Sequence, residues 1–342
     1  QFETLSKRMG ERFDLVQAGG GNTSFKLKDH MFIKSSGCGL SEISINKNYV
    51  GVQYQNIKNG LKHIVSTDKR IRENEAALLT NNEIHFLTNY KPSIETTMHA
   101  LTNKFTVHLH PIQFNLISGK DNCKSIIDEL FPGTCFVEYF TPGIDVALEL
   151  LNIYNNESII FLKNHGVVFT SDSVDILYQL IEDTMLILEQ YLTVTFTKYK
   201  FVNELSNIME ETSQQSFVSY LSEDIIIDSF INTHSLDSTH FHSFFPDKVV
   251  YCGNDFILIE HNLKEQITIY RKKNGEIPKI FIKQEDNKNI LYICSTSLKK
   301  CLEIESVLKS HFICFNTDNI LLSKNEIHYL NNWDAEKYRK CL

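Results

Sequence analysis

The chain has 342 residues, 42% of them hydrophobic and 22% charged, with a formal net charge of -8 and a pI near 5.9. This composition is typical of a globular protein, and the length predicts two domains or one large domain with an appendix. The sequence has no block of Lys and Arg that would form a basic patch for nucleic acid, and no apolar run is long enough to span a bilayer. We therefore expect neither nucleic acid nor a membrane as a partner.

Eight cysteines are scattered along the chain without any C-x-x-C pair. Several lie inside apolar segments, which favours reduced, buried thiols over a disulfide framework. The opening residues also lack the basic-then-apolar build of a secretion signal. These features predict a cytoplasmic protein.

Helices and strands alternate in the predicted elements of the first half. Apolar positions at near-helical spacing predict an opening helix over residues 2–17, which ends at the glycine run 19–21. The elements predicted downstream of it are strands at 23–27 and 31–35, helices at 69–80 and 93–102, strands at 105–109 and 134–140, a helix at 144–153, a strand–turn–strand unit at 158–169 and a helix at 172–192.

A polar, helix-prone stretch at 195–215 separates this part from the rest, so we predict one domain at 1–200 and another at 215–342. Pro278 marks the start of a strand, because proline is tolerated at the beginning of a strand and not in its middle. The elements predicted in the second domain are strands at 249–252, 256–260, 279–283 and 290–294, a helix near 297–310 and a last helix at 333–340.

Two histidines two residues apart are the strongest chemical signal. Alternation along the strand 105–109 places His108 and His110 on one face, from which both imidazoles can reach one metal ion. His165 lies at the predicted turn Asn164-His165-Gly166 and is a candidate third ligand. Three histidines with one open position form a common catalytic zinc site. Two unrelated histidines and a capped turn residue are the plain alternative.

Glu95 precedes His108 by 13 residues and lies at a predicted helix start. An acidic residue is favoured there by the helix dipole alone, so it is either an ordinary helix-terminal carboxylate or a general base beside a metal. If Glu95 is buried, its pKa should rise, which suits a base that works near neutral pH. We interpret His99, one turn further along the same face, as a core residue.

Two glycine-containing loops are candidates for binding an anion. Backbone N–H groups in the loops 19–22 and 35–37 can point at one phosphate, because glycine allows the necessary conformations. The hydroxyls of Ser36 and Ser93 would add donors. A second H-x-H pattern, His240-Phe241-His242 with His234 nearby, has no converging carboxylate or glycine loop, and we interpret it as structural.

In order, these motifs resemble the class II aldolase/adducin superfamily, best known for L-fuculose-1-phosphate and L-rhamnulose-1-phosphate aldolases. The resemblance covers about residues 1–195. The segments that carry it are Gly20-Gly21-Asn22-Thr23-Ser24, Lys34-Ser35-Ser36-Gly37, Ser93-Ile94-Glu95, the three histidines, and Tyr139 in Tyr-Phe-Thr-Pro-Gly. It implies an α/β fold: a three-layer α/β/α domain around a mainly antiparallel sheet, followed here by a smaller C-terminal α/β domain.

The resemblance also implies a mechanism. His108, His110 and His165 would hold Zn²⁺, and Glu95 would shuttle a proton to and from an enediolate formed by cleaving a ketose phosphate or related polyol. Tyr139 would reach a neighbouring subunit's site in a homo-oligomer, a cyclic tetramer. The residues implied to bind phosphate are Gly21, Asn22, Ser36, Gly37 and Ser93.

Some features depart from the superfamily's aldolases. Ile94 stands where many members carry a second hydroxyl, and no counterpart of the C-terminal tyrosine loop of fuculose-phosphate aldolase is evident. The sequence of residues 15–24 most resembles the aldolase half of fused rhamnulose-phosphate aldolase/dehydrogenases. The segments 245–247 and 332–339 resemble the extension of a poorly characterised subgroup.

The same scaffold hosts other functions. A sugar-phosphate epimerase, a dehydratase and decarboxylase-like members would keep the same histidines. A non-catalytic, adducin-like interaction module is the remaining alternative, and the presence of all three histidines with Glu95 argues against it.

Overall fold

A computed structural model describes residues 1–234 and 236–333 of the chain. It divides into two compact units, residues 1–196 and 197–342. Across the described ranges, no helix combines the length and apolar character needed to cross a membrane.

The first unit is built on one eight-stranded sheet, in the order β4-β3-β2-β1-β5-β8-β7-β6. All neighbouring strands are antiparallel except β6 and β7. The predicted mixed α/β fold with a mainly antiparallel sheet is thus confirmed. The strands are β1 (Asn22–Leu27), β2 (His30–Lys34), β3 (Tyr49–Gln53), β4 (Ile84–Phe86), β5 (Phe105–Leu109), β6 (Cys135–Val137), β7 (Ile159–Leu162) and β8 (Gly166–Ser171).

Helices of this unit cover both faces of the sheet and make it three layers. The helices are α1 (Phe2–Gly10), α2 (Tyr54–Leu61), α3 (Lys69–Asn82), α4 (Thr96–Leu101), α5 (Ile112–Ser118), α6 (Cys123–Leu130), α7 (Ile144–Ile153) and α8 (Val174–Leu192). One buried cluster joins β5 and β8 to side chains of α1, α5, α6 and α8. Clusters on the other face contain side chains of α2, α3, α4 and α7.

Strand β5 shows how the sequence divides between these two layers. Phe105, Val107 and Leu109 alternate along the strand and are buried in the first cluster. The residues between them, Thr106 and His108, are also fully buried but point to the other face. A strand in the centre of the sheet therefore combines an apolar face with a polar one that has no access to bulk water.

The second unit contains a four-stranded sheet in the order β10-β11-β12-β9. Its core packs side chains of α10 and α12 against β11 and β12. The elements are α9 (Thr197–Ser213), β9 (Val218–Leu221), α10 (Ile225–Thr233), β10 (Ile257–Ile259), α11 (Leu263–Asn274), β11 (Ile280–Glu285), β12 (Lys288–Ser295), α12 (Leu298–Cys314) and α13 (Lys324–Asn332).

Two predicted elements differ from the structure, and a third lies outside the described residues. The opening helix ends at Gly10 and not at residue 17. The chain turns away there, and Gly10 packs so closely that a Cβ would lie 2.3 Å from the backbone nitrogen of Ser41. The predicted strand 249–252 is a π-helical turn, Lys248–Cys252, which begins at a fully buried lysine. Residues 334–340 of the helix predicted at 333–340 lie outside the described residues, and α13, the last helix of the described part, ends at Asn332.

The cysteines of the described chain form no disulfide bonds. Six of them are buried and Cys314 is exposed, whereas Cys341 lies outside the described residues. Burial in apolar surroundings raises the pKa of Cys135 to about 11, because burial disfavours the thiolate and nearby Glu157 and Glu149 add negative charge.

Candidate metal centre

Three histidines meet at one end of the large sheet. His108 ends the polar face of β5, His110 follows the strand, and His165 lies in the turn between β7 and β8. One ring nitrogen of each lies within 4.8 Å of the other two. The ring centroids are 4.9 Å apart for His108 and His110, 4.6 Å for His108 and His165, and 5.2 Å for His110 and His165. The structure thus brings together all three predicted ligands.

Two glycines allow the backbone to approach this cluster. A Cβ at Gly20 would lie 2.9 Å from Nδ1 of His110, and a Cβ at Gly166 would lie 3.0 Å from Nε2 of His108. The Gly166 Cβ would also come within 2.2 Å of the Leu109 carbonyl oxygen. Any side chain at either position would therefore have to displace an imidazole or a strand.

The donor set fits a metal ion. Nε2 of His108, Nε2 of His110 and Nδ1 of His165 are buried and have no hydrogen-bond partner in the described chain. Buried polar atoms normally have a hydrogen-bond partner, so three buried nitrogens without one in the same cluster indicate a site for a metal ion. Burial and the neighbouring His108 lower the pKa of His110 to about 4 and that of His165 to about 3. Both imidazoles are therefore neutral near pH 7, as metal coordination requires.

Glu95 lies directly beside the histidines. It precedes α4, and its Oε1 is 2.9 Å from Nδ1 of His108 and 3.5 Å from Nε2 of His165. Burial raises the pKa of this carboxyl group, but the charge and hydrogen bond of His108, with further charge from His99 and His165, hold the pKa well below its usual range. The expectation of a raised pKa was therefore wrong, because the imidazoles outweigh desolvation.

Asn22 and Ser93 hold the Glu95 segment in place. The Asn22 side-chain amide donates to Oγ of Ser93 and to Oε2 of Glu95, the latter at 3.3 Å. The backbone nitrogen of Glu95 also donates to Oγ of Ser93, at 3.2 Å. Asn22 is 1% exposed, and its amide hydrogens are directed at the carboxylate. In this geometry Asn22 orients the acid, a contact that its place in a glycine loop did not reveal.

Other residues predicted to bind phosphate lie along a neighbouring cavity of about 460 Å³. Ser36, Ser93 and Ile94 all line it. Oγ of Ser36 donates to the Pro92 carbonyl oxygen at 3.1 Å, which ties this loop to the Glu95 segment. Gly37 has a φ of 85° with open space around it, so this loop needs the left-handed conformation that glycine allows.

Gly21 also adopts the left-handed conformation, with a φ of 70°. A Cβ there would lie 2.8 Å from Cγ2 of Val16 and 3.0 Å from the His108 carbonyl oxygen. Close packing against β5 alone therefore accounts for a glycine at this position.

Lys34 is a charged residue of the site that the sequence analysis did not single out. Its side chain is buried, and Nζ donates to the Gly19 carbonyl oxygen at 3.2 Å, which joins the two glycine-containing loops. Burial lowers the pKa of its amine, while Cys38, Glu95 and Glu42 act in the opposite direction. A lysine at the end of β2 directly before Ser35-Ser36-Gly37 was the available signal.

His99 and Tyr139, two other residues considered in the sequence analysis, lie in very different surroundings. His99 is fully buried, and its Nδ1 lies 2.8 Å from Oγ of Ser24. Tyr139 lies between β6 and α7 with 56% of its surface exposed, and in the described chain it forms no ring contact with the three histidines. The two residues therefore differ completely in access to solvent.

The second H-x-H pattern belongs to an aromatic cluster. Phe241 is fully buried, and the His240 ring packs edge-on against Phe230 and Phe315. The His240 carbonyl oxygen lies 2.8 Å from Nε2 of His311. Among the described residues, the histidines 108, 110 and 165 are the only group of three placed to share a metal ion.

Fold and site together define an α/β domain with a three-histidine cluster and a partly buried carboxylate at one end of its sheet. The chain belongs to the class II aldolase and adducin family, since the family described as "Class II Aldolase and Adducin N-terminal domain" matches residues 3–192. The resemblance in the sequence motifs is thereby confirmed. No curated protein matches the chain.

Solved structures similar to this chain include one that shares the fold of the first unit at a TM-score of 0.50. The N-terminal class II aldolase domain of a conserved Thermoplasma acidophilum protein is 24% identical, with a TM-score of 0.50 over 56% of this chain and 92% of that one. L-fuculose-1-phosphate aldolase from Thermus thermophilus is 14% identical, with a TM-score of 0.38 over 56% and 92%. A Klebsiella pneumoniae protein described as an aldolase, epimerase or decarboxylase is 19% identical, with a TM-score of 0.40 over 56% and 86%.

Proposed function

We propose that the chain is a zinc-dependent aldolase that reversibly cleaves a ketose phosphate or a related sugar-derived substrate. The proposal rests on the cluster of His108, His110 and His165, with a Glu95 oxygen 2.9 Å from one of the imidazoles. Membership of the class II aldolase and adducin family supports a lyase activity. An interaction module would have no need for neutral, unpartnered imidazoles next to an ionised carboxylate.

Zn²⁺ bound by the three histidines would supply a Lewis acid that stabilises negative charge on substrate oxygens. Glu95 acts on the proton. The Glu95 carboxylate lies 2.9 Å from Nδ1 of His108, beside the proposed metal, where it can accept a proton from the carbon beside a carbonyl group during condensation. In cleavage it returns that proton to the same carbon. The Asn22 amide keeps the carboxylate in one orientation through both steps.

We assign the phosphate of the substrate to the neighbouring cavity and its two loops. Ser36 and Ser93 line that cavity, which at about 460 Å³ accommodates a sugar phosphate. Oγ of Ser93 accepts hydrogen bonds from Asn22 and from the Glu95 backbone, so its own hydrogen is available to a ligand oxygen. Gly37, with Gly21 and Asn22 of the first loop, completes the proposed site.

We assign the remaining proton transfer to Tyr139 of a neighbouring copy in a homo-oligomer, a tetramer by resemblance. Tyr139 is 56% exposed, so its phenol is accessible to another subunit. In cleavage it would take the proton of the hydroxyl group that becomes the aldehyde. A Tyr139→Phe variant should lose activity and keep its zinc, and sedimentation analysis should show the assembly unchanged.

Metal content tests the site directly. Protein purified without added metal should contain about one zinc per chain, and His108→Ala should lose it, because two imidazoles hold zinc far more weakly than three. His63→Ala is the matched control, since His63 is exposed and lies outside the cluster. A wild-type chain that neither contains nor takes up a divalent metal would contradict the proposal.

Activity and its class are tested by product analysis with phosphorylated ketoses. Release of an aldehyde identifies an aldolase, whereas an epimerised or dehydrated product identifies another reaction on the same scaffold. Glu95→Gln should lower the rate by roughly 10²–10⁴-fold, the usual contribution of a general base, and keep the zinc. The exposed Glu129→Gln is the control. Equal activity in the Glu95 variant would rule out its assignment as the base.

A further inference from the structure

A second polar cavity opens at the opposite end of β1 from Asn22. Its volume is about 340 Å³, and Lys26, Lys28, Lys58 and Lys104 all contribute to its lining. These lysines come from β1, the turn after it, α2 and the residue before β5. Four lysines therefore line one cavity in a chain whose net charge is -8, although the Lys104 amine lies over the Phe25 and Phe105 rings, at 5.6 and 5.3 Å from their centroids.

Lys26 makes this cavity more than a group of surface lysines. Only 7% of its surface is exposed, although it carries a primary amine. The amine donates to the Thr102 carbonyl oxygen and lies 5.0 Å from the centroid of the Tyr54 ring. It forms no ion pair with a carboxylate of the described chain, and an ammonium group has three hydrogens to donate. A buried charge without a counter-ion is costly.

The surroundings of Lys26 are positive. Burial and the charge of Lys58 lower the pKa of the Lys26 amine to about 7, and Asp172 acts weakly in the other direction. Asp172 also lines the cavity, where one of its carboxylate oxygens accepts the backbone N–H of Lys104 at 3.2 Å. Four lysines against one aspartate leave the cavity with excess positive charge. A bound anion would restore full protonation of the buried amine.

We propose that this cavity binds a small phosphate-bearing anion at a site separate from the metal centre. Phosphoryl oxygens match ammonium groups converging from several directions, and lysine is a common phosphate ligand. The volume admits one or two phosphoryl groups with a small organic substituent. The opening is a cavity and not an extended stripe, which favours a soluble small molecule over a nucleic acid or a lipid surface.

The position of the cavity relates it to the elements of the metal centre. Helix α4 runs from Glu95 at its N-terminal end to Thr102, whose carbonyl oxygen accepts the Lys26 amine. Strand β5 likewise begins at the residue after Lys104 and carries His108 near its other end. The anion site thus lies at the far ends of the elements that carry the carboxylate and a histidine. The proposed anion would therefore contact the far ends of those elements, away from the proposed metal ligands.

Calorimetric titration of the zinc-loaded full chain with inorganic phosphate and pyrophosphate tests the proposal. The double variant Lys28→Gln/Lys58→Gln removes two exposed amines of the cavity and leaves its buried lysine intact. Its affinity for pyrophosphate should fall roughly tenfold or more. The matched control, Lys47→Gln/Lys62→Gln, makes the same charge change at exposed lysines outside the cavity. The control should bind as wild type does.

Amine acylation followed by mass spectrometry locates the bound anion. Pyrophosphate should protect Lys28 and Lys58 from an acylating reagent at least several-fold and leave Lys62 unchanged. Binding at the metal centre would persist equally in every lysine variant, so it cannot imitate this result. Equal pyrophosphate affinity in the wild type and the cavity double variant, or protection absent from the cavity lysines, would overturn the proposal.

Discussion

Replacing Gly166 with alanine probes how closely β8 approaches the metal ligands. The added methyl group would lie 2.2 Å from the Leu109 carbonyl oxygen, about 1.2 Å short of the 3.4 Å at which ordinary contact begins. It would also lie 2.9 Å from Cδ2 of His110 and 3.0 Å from Nε2 of His108. The methyl group therefore meets backbone on one side and two proposed zinc ligands on the other, and it has no flexible neighbour to push aside.

Two measurable losses follow from this crowding. Overpacking of this kind costs about 1–3 kcal/mol of unfolding free energy, or roughly 2–4 °C in Tm for each kcal/mol in a domain of this size. Because the two imidazoles must move, zinc affinity should fall by roughly 10–100-fold, the range found when the groups that orient metal ligands are disturbed. Competition with a chromophoric chelator measures the affinity, and urea unfolding measures the stability.

Gly119→Ala is the matched control for this experiment. A Cβ at Gly119 would have its nearest neighbour, Oδ1 of Asn164, at 3.6 Å, which is ordinary contact. Its φ of -88° suits any residue, so this variant should keep both zinc and stability. If Gly166→Ala binds zinc as tightly as the control does, the close approach of β8 to the ligands is refuted.

Three further substitutions test other contacts. Asn22→Ala removes the amide that holds Glu95, so aldehyde release should fall about tenfold or more at unchanged zinc content. Asp14→Asn breaks a fully buried pair with Arg12, so urea unfolding should show a loss of about 3–5 kcal/mol. Lys26 has a pKa lowered to about 7, so the unfolded state binds more protons above that pH. In phosphate-free buffer, stability relative to Lys26→Met should therefore rise from pH 7 to 10, by at most roughly 1.4 kcal/mol per unit.

Strands with regular alternation and long apolar helices were predictable from the sequence. The pattern of residues 105–109 gave β5, and the strand–turn–strand pattern around Asn164 gave β7 and β8. Helices α5 and α6 were missed because seven or eight residues are too few to establish a helical period. Their apolar side chains become informative only once the sheet that they cover is known.

The error at residues 249–252 has a different cause. A run of Val249-Val250-Tyr251-Cys252 favours a strand by intrinsic propensity. Lys248 overrides it, because its buried amine donates to the carbonyl oxygens of Phe241 at 2.9 Å and Gly253 at 2.8 Å. These bonds draw the chain into a tight turn. No local sequence pattern predicts that a lysine will be fully buried, so tertiary contacts determine the conformation of this segment.

At the site, the sequence predicted which residues take part, but it did not predict which of them contact one another. The two histidines around Leu109 follow from strand periodicity, but the hydrogen bond from Asn22 to Glu95 joins residues 73 positions apart. The direction of the Glu95 pKa shift depends on which imidazoles surround it, and burial alone predicts the opposite sign. Sequence patterns name candidates, whereas distances between distant segments decide what each candidate does.

The pairing register of β1, β5 and β8 links the packing of the apolar core to the position of His108. Asn22 on β1 is the cross-strand partner of His108 on β5, and His108 in turn faces Val168 on β8. A slip of one residue in β5 would send His108 to the opposite face of the sheet. That slip is prevented by the residues between the polar ones, because Val107 and Leu109 would then leave the apolar cluster that buries them. The hydrophobic face of β5 therefore positions the proposed metal ligand, although none of its side chains needs to touch a metal or a substrate.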